Sequence, residues 1–147
     1  MSTSEPNARR LHRIVYSSKF AGPPGDLDQV LTKVIAKSIQ KNRMVNVTGF
    51  LVAGGGSFLQ LLEGPAQAVR QTYDRILTDP RHIDVALIVD EAAESRLFRD
   101  WNMGKHRINP NDEALMGEGG VQAFSSRCWD GPRAERVLTR LGQQHLR

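Results

Sequence analysis

Residues 46–64, NVTGFLVAGGGSFLQLLEG, contain two apolar runs separated by three glycines. Short apolar runs bounded by glycine are typical of strands, and glycine supplies the backbone conformations that a tight hairpin turn needs. The stretch therefore predicts two antiparallel strands joined at residues 54–56. Side chains alternate across a strand, so the second strand has two distinct faces. Its predicted faces are Phe58, Gln60 and Leu62 on one side and Leu59, Leu61 and Glu63 on the other.

The amide of Gln60 lies between two apolar neighbours on a face that is predicted to be buried. A buried amide without hydrogen-bond partners costs about 1–3 kcal/mol. An amide can present either a donor or an acceptor to the same neighbour, which leucine cannot do. Gln60 therefore either has specific partners or occupies an exposed face, and the strand pattern alone leaves both possibilities open.

The segments around this hairpin predict an α+β fold. The expected elements are a strand over 11–18, a helix over 27–41 with Asp26 as its N-cap, the hairpin, a helix from Pro65 to about Leu77, and strands over 83–91 and 95–104. This βαββαββ order is the ferredoxin-like split βαβ arrangement with one additional strand. It predicts a five-stranded mixed sheet with both helices on one face.

The two ends of the chain differ from this central domain. Residues 1–10 are polar and are expected to form a flexible lead-in. Residues 105–147 are expected to form a C-terminal helical extension, with a helix from about Pro132 to Leu146. The apolar stripe of that helix is too narrow for an independent core, so we expect it to pack on the domain or on a partner. The stripe consists of Val137, Leu138 and Leu141.

Composition narrows the class of protein. The chain has 147 residues, a formal net charge of +4 and one cysteine, Cys128, which excludes an internal disulfide framework and favours a cytoplasmic location. The start has no signal peptide, and no apolar run approaches the roughly 20 residues of a membrane span. Lysine and arginine are spread along the chain, so a nucleic-acid partner is unlikely.

The common catalytic patterns are missing. The glycines at 54–56 lie between two strands and lack the following lysine of a phosphate-binding loop. The histidines and Cys128 have no metal-ligand spacing, and there is no nucleophile elbow. Asp79 and His82 could suggest acid–base chemistry, but the DPRH stretch is equally explained as a helix end and turn. The sequence therefore predicts a protein that is not an enzyme and binds no metal.

Four polar residues stand at positions that should be buried. Tyr16 ends the first strand, Ser38 lies on the inner stripe of the first helix, Asn42 follows its last turn, and Gln60 is in mid-strand. Each one alone has an ordinary explanation, such as a helix cap or a strand end. Together they indicate a crevice between helix and sheet that could hold a flat heteroaromatic ligand, with Arg81 available for a phosphate or hydroxylated chain.

Five stretches in this order carry a family resemblance: IVYSS, KNRMVNVTGFLV, SFLQLLEGP, DPRH and FRDWNMG. On these stretches, residues 11–104 resemble the BLUF family of blue-light sensors that use a flavin. The F-x-Q-x-L-E-G stretch combined with the W-x-M ending is specific to that family. Lys41 occupies a position near the ring that varies in the family. The resemblance implies a short, stand-alone BLUF protein.

The resemblance also implies roles for individual residues. Tyr16 matches the tyrosine that donates an electron and a proton to the excited flavin. Gln60 matches the glutamine whose hydrogen bonds switch on illumination, and Asn42 matches the asparagine at the polar edge of the ring. Further matches are Ser38, Asp79, Arg81 and His82 in the pocket, and Trp101 and Met103 as a last-strand pair that carries the signal.

The resulting expectation is a blue-light photoreceptor that binds FAD, with FMN or riboflavin as possible cofactors. It would signal through the last strand and the C-terminal helices to a separate effector protein, and it would form a homo-oligomer. The alternatives left open are a non-photoactive ferredoxin-like module that binds a small molecule or RNA, and a small acylphosphatase-like enzyme. No aromatic-rich RNA-binding motif and no phosphate-cradling loop supports either alternative.

Overall fold

The computed structural model describes residues 10–54, 56–108 and 129–143. Its elements are β1 (Leu11–Phe20), a 3₁₀ turn (Pro24–Asp26), α1 (Leu27–Met44), β2 (Thr48–Gly54), β3 (Ser57–Pro65), α2 (Ala66–Leu77), β4 (His82–Ala92), β5 (Gly104–Arg107) and α3 (Gly131–Gln143). Within these ranges no helix is both long and apolar enough to cross a lipid bilayer.

The strands form one mixed sheet, as the sequence predicts. The strand order is β4-β1-β3-β2-β5, and only the β2–β5 pairing is parallel. The hairpin between β2 and β3 turns at Gly56, whose φ of 75° is in the region that favours glycine. The central strand β3 therefore has neighbours on both sides and reaches both faces of the sheet.

Each face of the sheet carries its own apolar core, and the predicted alternation along β3 is confirmed. Phe58 and Leu62 pack with α1 and α2 on the first face. Leu59 and Leu61 pack with α3 on the second face. The two helices predicted for one face thus cover the first face. The apolar stripe of α3 is buried against the opposite face of the same domain.

The predicted fifth strand is present, but its predicted position over residues 95–104 is wrong. Residues 93–103 have no regular secondary structure, and the strand lies at Gly104–Arg107. It therefore extends beyond residue 104, where the domain was predicted to end and the C-terminal extension to begin. Parallel pairing with β2 begins only at Gly104, opposite Phe50. Residues 93–103, named here the crossover segment, are held instead by separate hydrogen bonds. The Ala93 amide donates to the Leu11 carbonyl and the Gly49 amide to the Trp101 carbonyl, both at 2.9 Å, and side chains provide further contacts. Arg96, for example, donates to Thr48 Oγ1 at 2.9 Å and to the carbonyl of Asn46 at 2.8 Å.

The helix ends also differ in detail from the predictions. Asp26 precedes α1, but its side chain makes no capping hydrogen bond, because its backbone has helical dihedral angles (φ −89°, ψ −7°) instead of the extended ones of an N-cap. α1 continues past the predicted end to Met44. Pro65 is extended, with ψ of 135°, so α2 begins one residue later than predicted. The lead-in before Arg10, Cys128 and the predicted end of the last helix lie outside the described residues.

Candidate functional site

A cleft between α1 and α2 opens onto the first face of the sheet. It brings together seven of the predicted site residues: Ser38, Asn42, Gln60, Asp79, Arg81, His82 and Met103. Apolar side chains of both helices and of β2 and β3 complete its walls: Val34, Leu51, Leu62 and Ile76. Apolar walls with a few convergent polar groups are characteristic of small-molecule sites.

Tyr16 lies beneath this cleft and contacts it through Gln60. The antiparallel register of β1 and β3 places the two residues opposite each other. Tyr16 is fully buried, and its hydroxyl donates a hydrogen bond to Gln60 Oε1. Burial, together with the nearby Tyr73 phenol and Asp79 carboxylate, raises the pKa of Tyr16 far above its ordinary value of 10.0. The phenol therefore stays protonated and acts as the donor.

The other end of the Gln60 amide contacts Met103. Gln60 Nε2 donates to Met103 Sδ at 3.2 Å, and both side chains are buried. A thioether sulfur is a weak acceptor and has no proton to donate. The Gln60 amide is therefore held firmly at its oxygen and weakly at its nitrogen.

Asn42 belongs to the last turns of α1 rather than following the helix. It is buried, and its Nδ2 donates to the carbonyl of Asn102 at 2.8 Å. In the described part of the chain Asn42 Oδ1 has no hydrogen-bond partner, so it can accept from a ligand in the cleft. Ser38, one turn earlier on the same helix, also lines the cleft.

The DPRH turn supplies a charged pair and an imidazole. The Arg81 guanidinium donates to both Asp79 carboxylate oxygens at 2.6–3.0 Å, and this hydrogen bonding lowers the pKa of Asp79. Burial lowers the pKa of His82 below its ordinary value of 6.5, against the opposing effect of Asp79. His82 Nδ1 lies 2.8 Å from Ser18 Oγ. His82 is therefore neutral at pH 7 and presents one donor and one acceptor.

Three further cations line the mouth of the cleft. Lys37, Lys41 and Arg75 are exposed there. No acidic side chain in the described residues pairs with either lysine, whereas Arg81 is compensated by Asp79. The mouth therefore carries net positive charge.

The predicted signalling pair is divided between the two faces of the sheet. Met103 points into the cleft, whereas Trp101 packs on the second face. The Trp101 ring lies 5.4 Å from the Phe50 ring and 5.8 Å from the Phe98 ring, measured between centroids. Both residues precede β5 instead of lying in the last strand, because the crossover segment ends at Met103.

Glu63 is a residue that the functional interpretation of the sequence missed. It is fully buried on the second face, where Arg13 Nη2 lies 2.8 Å from its Oε2. Its carboxylate also accepts the backbone amides of Leu97 and Phe98 at 2.8–3.0 Å. The sequence contained one signal for it: strand alternation places Glu63 on the same apolar face as Leu59 and Leu61. A carboxylate buried on such a face needs a cationic partner.

The residues of the cleft fit a flavin ring. A flat heteroaromatic ring with carbonyl and imino groups needs apolar walls and partners that can both donate and accept hydrogen bonds. Asn42 and Gln60 supply amides, His82 a neutral imidazole, and Arg81 a guanidinium. The described residues contain no group of three or more side chains that could hold a metal ion.

Comparison with known proteins supports the family resemblance seen in the sequence. The family described as "BLUF: Sensors of blue-light using FAD" matches residues 11–104. The photoactivated adenylate cyclase subunit beta of Euglena longa is 28% identical over 102 residues, which are 69% of this chain and 12% of that protein. The chain therefore spans about an eighth of the length of this relative.

Two solved structures show the same fold. BlrB, a BLUF protein in its dark state, has a TM-score of 0.69 and 25% identity, with 95% of this chain and 99% of that chain covered. Klebsiella pneumoniae BlrP1 with FMN and cyclic diGMP has a TM-score of 0.62 and 29% identity, with 78% and 30% covered. The family match over residues 11–104 describes a sensor of blue light. The chain belongs to the BLUF family of blue-light sensors.

Proposed function

We propose that this chain is a blue-light photoreceptor in which light reverses the hydrogen bonding of the Gln60 amide beside a bound flavin. The observation that carries the proposal is the asymmetry of that amide. Its oxygen accepts from the buried Tyr16 hydroxyl, and among the described residues its nitrogen donates only to the sulfur of Met103. One amide therefore connects a buried phenol, the ligand cleft and the crossover segment.

The residues of the cleft divide the work of binding. Asn42 Oδ1 and the Gln60 amide would hydrogen-bond to the polar edge of the ring. Arg81 and His82 would bind it from the DPRH turn, and Ser38 and Asp79 would complete the pocket. When bound, the flavin supplies blue-light absorption and, once excited, accepts an electron and a proton. The protein supplies the orientation of the donors and acceptors around it.

The chemistry at Tyr16 gives a reason for the amide to turn. While Tyr16 holds its proton, its oxygen donates and favours Gln60 Oε1. When the proton has left Oη, the same oxygen can only accept, and it favours Gln60 Nε2 instead. A half-turn of the amide then places Oε1 against Met103 Sδ, where no hydrogen bond is possible because neither atom has a proton to donate. The contact that holds Met103 is lost, and this loss is the signal.

The electron and the proton then return to Tyr16, while the amide stays in the turned orientation until it rotates back in the dark. The phenol is again a donor, and the original orientation again satisfies both ends of the amide. The turned orientation leaves the buried amide incompletely paired, so it is the less stable of the two. The proposal therefore predicts a photocycle that reverts in the dark.

The test is an absorption spectrum of the purified, flavin-loaded chain before and after blue light. We expect a yellow protein with a reversible red shift, which Tyr16→Phe and Gln60→Leu abolish. Tyr73→Phe is the matched control, because the Tyr73 ring lies 5.6 Å from that of Tyr16 and its hydroxyl has no hydrogen bond in the described residues. A colourless protein that takes up no added flavin, or a normal photocycle in both site variants, contradicts the proposal.

The positive mouth of the cleft favours a phosphorylated flavin. Lys37, Lys41 and Arg75 can contact a phosphate, whereas riboflavin has none. BlrP1 has been solved with FMN, and the family description specifies FAD. We propose FAD or FMN as the cofactor rather than riboflavin.

Affinity measurements test this preference. The double variant Lys37→Gln/Lys41→Gln should weaken FAD binding about tenfold, which is about 1.4 kcal/mol, and leave riboflavin binding unchanged. Lys33→Gln is the matched control, since Lys33 is exposed on the same helix outside the cleft. Equal affinities of the wild-type chain for riboflavin and FAD would contradict the preference.

A separate effector protein, a homo-oligomer and a cytoplasmic location belong to the same proposal. The RNA-binding alternative has no support in the fold. Recognition on an open sheet requires an exposed face with aromatic side chains. Here α1 and α2 cover the first face and α3 covers the second.

A further inference from the structure

Strand β3 contacts the crossover segment from both of its faces. On the first face, Gln60 contacts Met103 at the end of the segment. On the second face, Glu63 holds the middle of the segment through the amides of Leu97 and Phe98. The two attachment points come from positions three residues apart on the most central strand of the sheet. A rigid strand thus supports the middle and the C-terminal end of a short, irregular stretch.

The attachment at Glu63 is the stronger of the two. Its carboxylate is fully buried, accepts two successive backbone amides and pairs with Arg13 through Nε at 2.9 Å and Nη2 at 2.8 Å. Hydrogen bonds to an ionised group are shorter and stronger than those between neutral groups. The contact of Gln60 with a thioether is weak by comparison. The other hydrogen bonds near that end come from the Gly49 amide of β2 to the Trp101 carbonyl at 2.9 Å and from the cleft residue Asn42 to the Asn102 carbonyl at 2.8 Å. When the segment is disturbed, the Met103 end should move and the Glu63 end should stay.

Helix α3 is connected to the same carboxylate at two places. Near its first turn, Glu135 Oε2 lies 3.6 Å from Nη1 of Arg13, the partner of Glu63. Near its end, Gly142 packs against Phe98, whose amide Glu63 holds. A Cβ added at Gly142 would lie only 2.5 Å from Phe98 Cε1. The position of α3 on the sheet therefore depends on the residues that Glu63 fixes.

Trp101 lies between the residues that Glu63 holds and the weakly held Met103 side chain, and its own carbonyl accepts the Gly49 amide of β2. Its ring stacks near Phe98 and Phe50 and lines a groove with the last turns of α3, which contribute Thr139 and Gly142. If Leu97 and Phe98 stay in place while Met103 moves, the displacement is concentrated on the residues between them, which include Trp101. If the whole segment could shift, the same displacement would be spread over it and α3 would not be moved.

We infer that Glu63 is a positioning residue for signal output, acting as the fixed point that converts loss of the Gln60–Met103 contact into a movement of α3. This inference rests on the proposed photoreceptor function. Glu63 takes no part in the photochemistry, because it lies on the face of the sheet opposite the cleft. Removing the Glu63 carboxylate should therefore leave the light-induced red shift intact and abolish the light-induced movement of α3.

The experiment compares flavin-loaded full-length chains in the dark and under continuous blue light. Absorption reports the red shift, and hydrogen–deuterium exchange of peptides covering α3 reports the structural response. In the wild-type chain we expect exchange in α3 to rise at least about threefold on illumination. In Glu63→Gln, which keeps the shape of the side chain and removes its charge, the red shift should be retained and the light-to-dark exchange ratio should fall to about one.

Glu94→Gln is the matched control, since Glu94 is exposed in the same segment and has no ion pair in the described residues. It should behave as the wild type. If Glu63→Gln does not fold or hold flavin, Glu135→Ala tests the other end of the network without touching the buried carboxylate, and it should also reduce the ratio to about one.

The outcomes are distinguishable. A Glu63→Gln chain with an unchanged exchange ratio overturns the inference, and so does a wild-type chain that shows a red shift without any response in α3. In the fallback case, a normal ratio in Glu135→Ala overturns it. A wild-type chain without a red shift contradicts the proposed function itself, and the absorption measurement identifies that result before any exchange is measured.

Discussion

The hydrogen bond between Tyr16 and Gln60 can be tested by stability as well as by spectroscopy. Gln60→Leu removes the acceptor of the Tyr16 hydroxyl and replaces it with a side chain of similar size. Because Tyr16 is fully buried, its hydroxyl cannot turn to water. The orphaned donor should lower the free energy of unfolding by about 1–3 kcal/mol.

The reverse variant should have a cost of the same order. Tyr16→Phe leaves Gln60 Oε1 without its donor, and Gln60 is 5% exposed. The double variant has neither group, and replacing both partners by apolar groups of similar shape is close to neutral. Because the coupling is then the sum of the two single costs, the double-mutant cycle should give a coupling free energy of about 2–6 kcal/mol between the two residues.

Urea unfolding in the dark, with all four chains at the same saturating FAD concentration, measures this coupling. Equal flavin conditions are needed because a bound ligand adds to the apparent stability. Tyr73→Phe again serves as the control and should change the free energy of unfolding by less than about 0.5 kcal/mol. Additive effects, with a coupling below about 0.5 kcal/mol, would refute the hydrogen bond on which the mechanism depends.

Two further predictions concern stability. Because the pKa of His82 is lowered on folding from 6.5, the unfolded chain binds more protons below that pH, and stability should fall on acidification by at most about 1.4 kcal/mol per pH unit. Urea unfolding between about pH 7 and pH 5 should therefore show a smaller change of the unfolding free energy with pH in His82→Gln than in the wild type. An unchanged pH dependence would contradict the lowered pKa of His82. Gly49→Ala should lower the free energy of unfolding by about 1–3 kcal/mol or more, because its Cβ would lie 2.0 Å from the Leu61 carbonyl oxygen. Gly25→Ala, which has no atom within 4 Å of its Cβ, should not, and equal thermal midpoints for the two would count against this packing.

Much of the fold could be predicted because the hairpin pattern has one interpretation. Alternation along residues 57–63 assigned each side chain to the correct face, and the glycine turn set the pairing of β2 with β3. The fifth strand was misplaced because residues 95–103 have apolar side chains that are buried through contacts rather than through a strand ladder. Phe98, for example, stacks on Phe50 at 5.1 Å. Local pattern cannot distinguish these two forms of burial.

The candidate site was predictable only in part for a related reason. The residues around the cleft could be named, because a polar residue on an apolar face is visible in the sequence. The separation of Met103 from Trp101 was not visible, since it depends on where the crossover segment leaves the edge of the sheet. The importance of Glu63 was also missed, because its partners are backbone amides more than 30 residues away, and amides carry no sequence signal.

The sheet separates the residues that set the colour of the protein from those that set its output. Variation in the Phe98, Trp101 and α3 layer can change how strongly or how quickly the chain responds while its absorption spectrum stays the same. Variation around Asn42 and Gln60 can shift the spectrum while α3 keeps its position on the second face. A library of variants restricted to one face of the sheet should therefore change either the absorption spectrum or the output, but not both. This separation would help in building light-controlled tools from this domain.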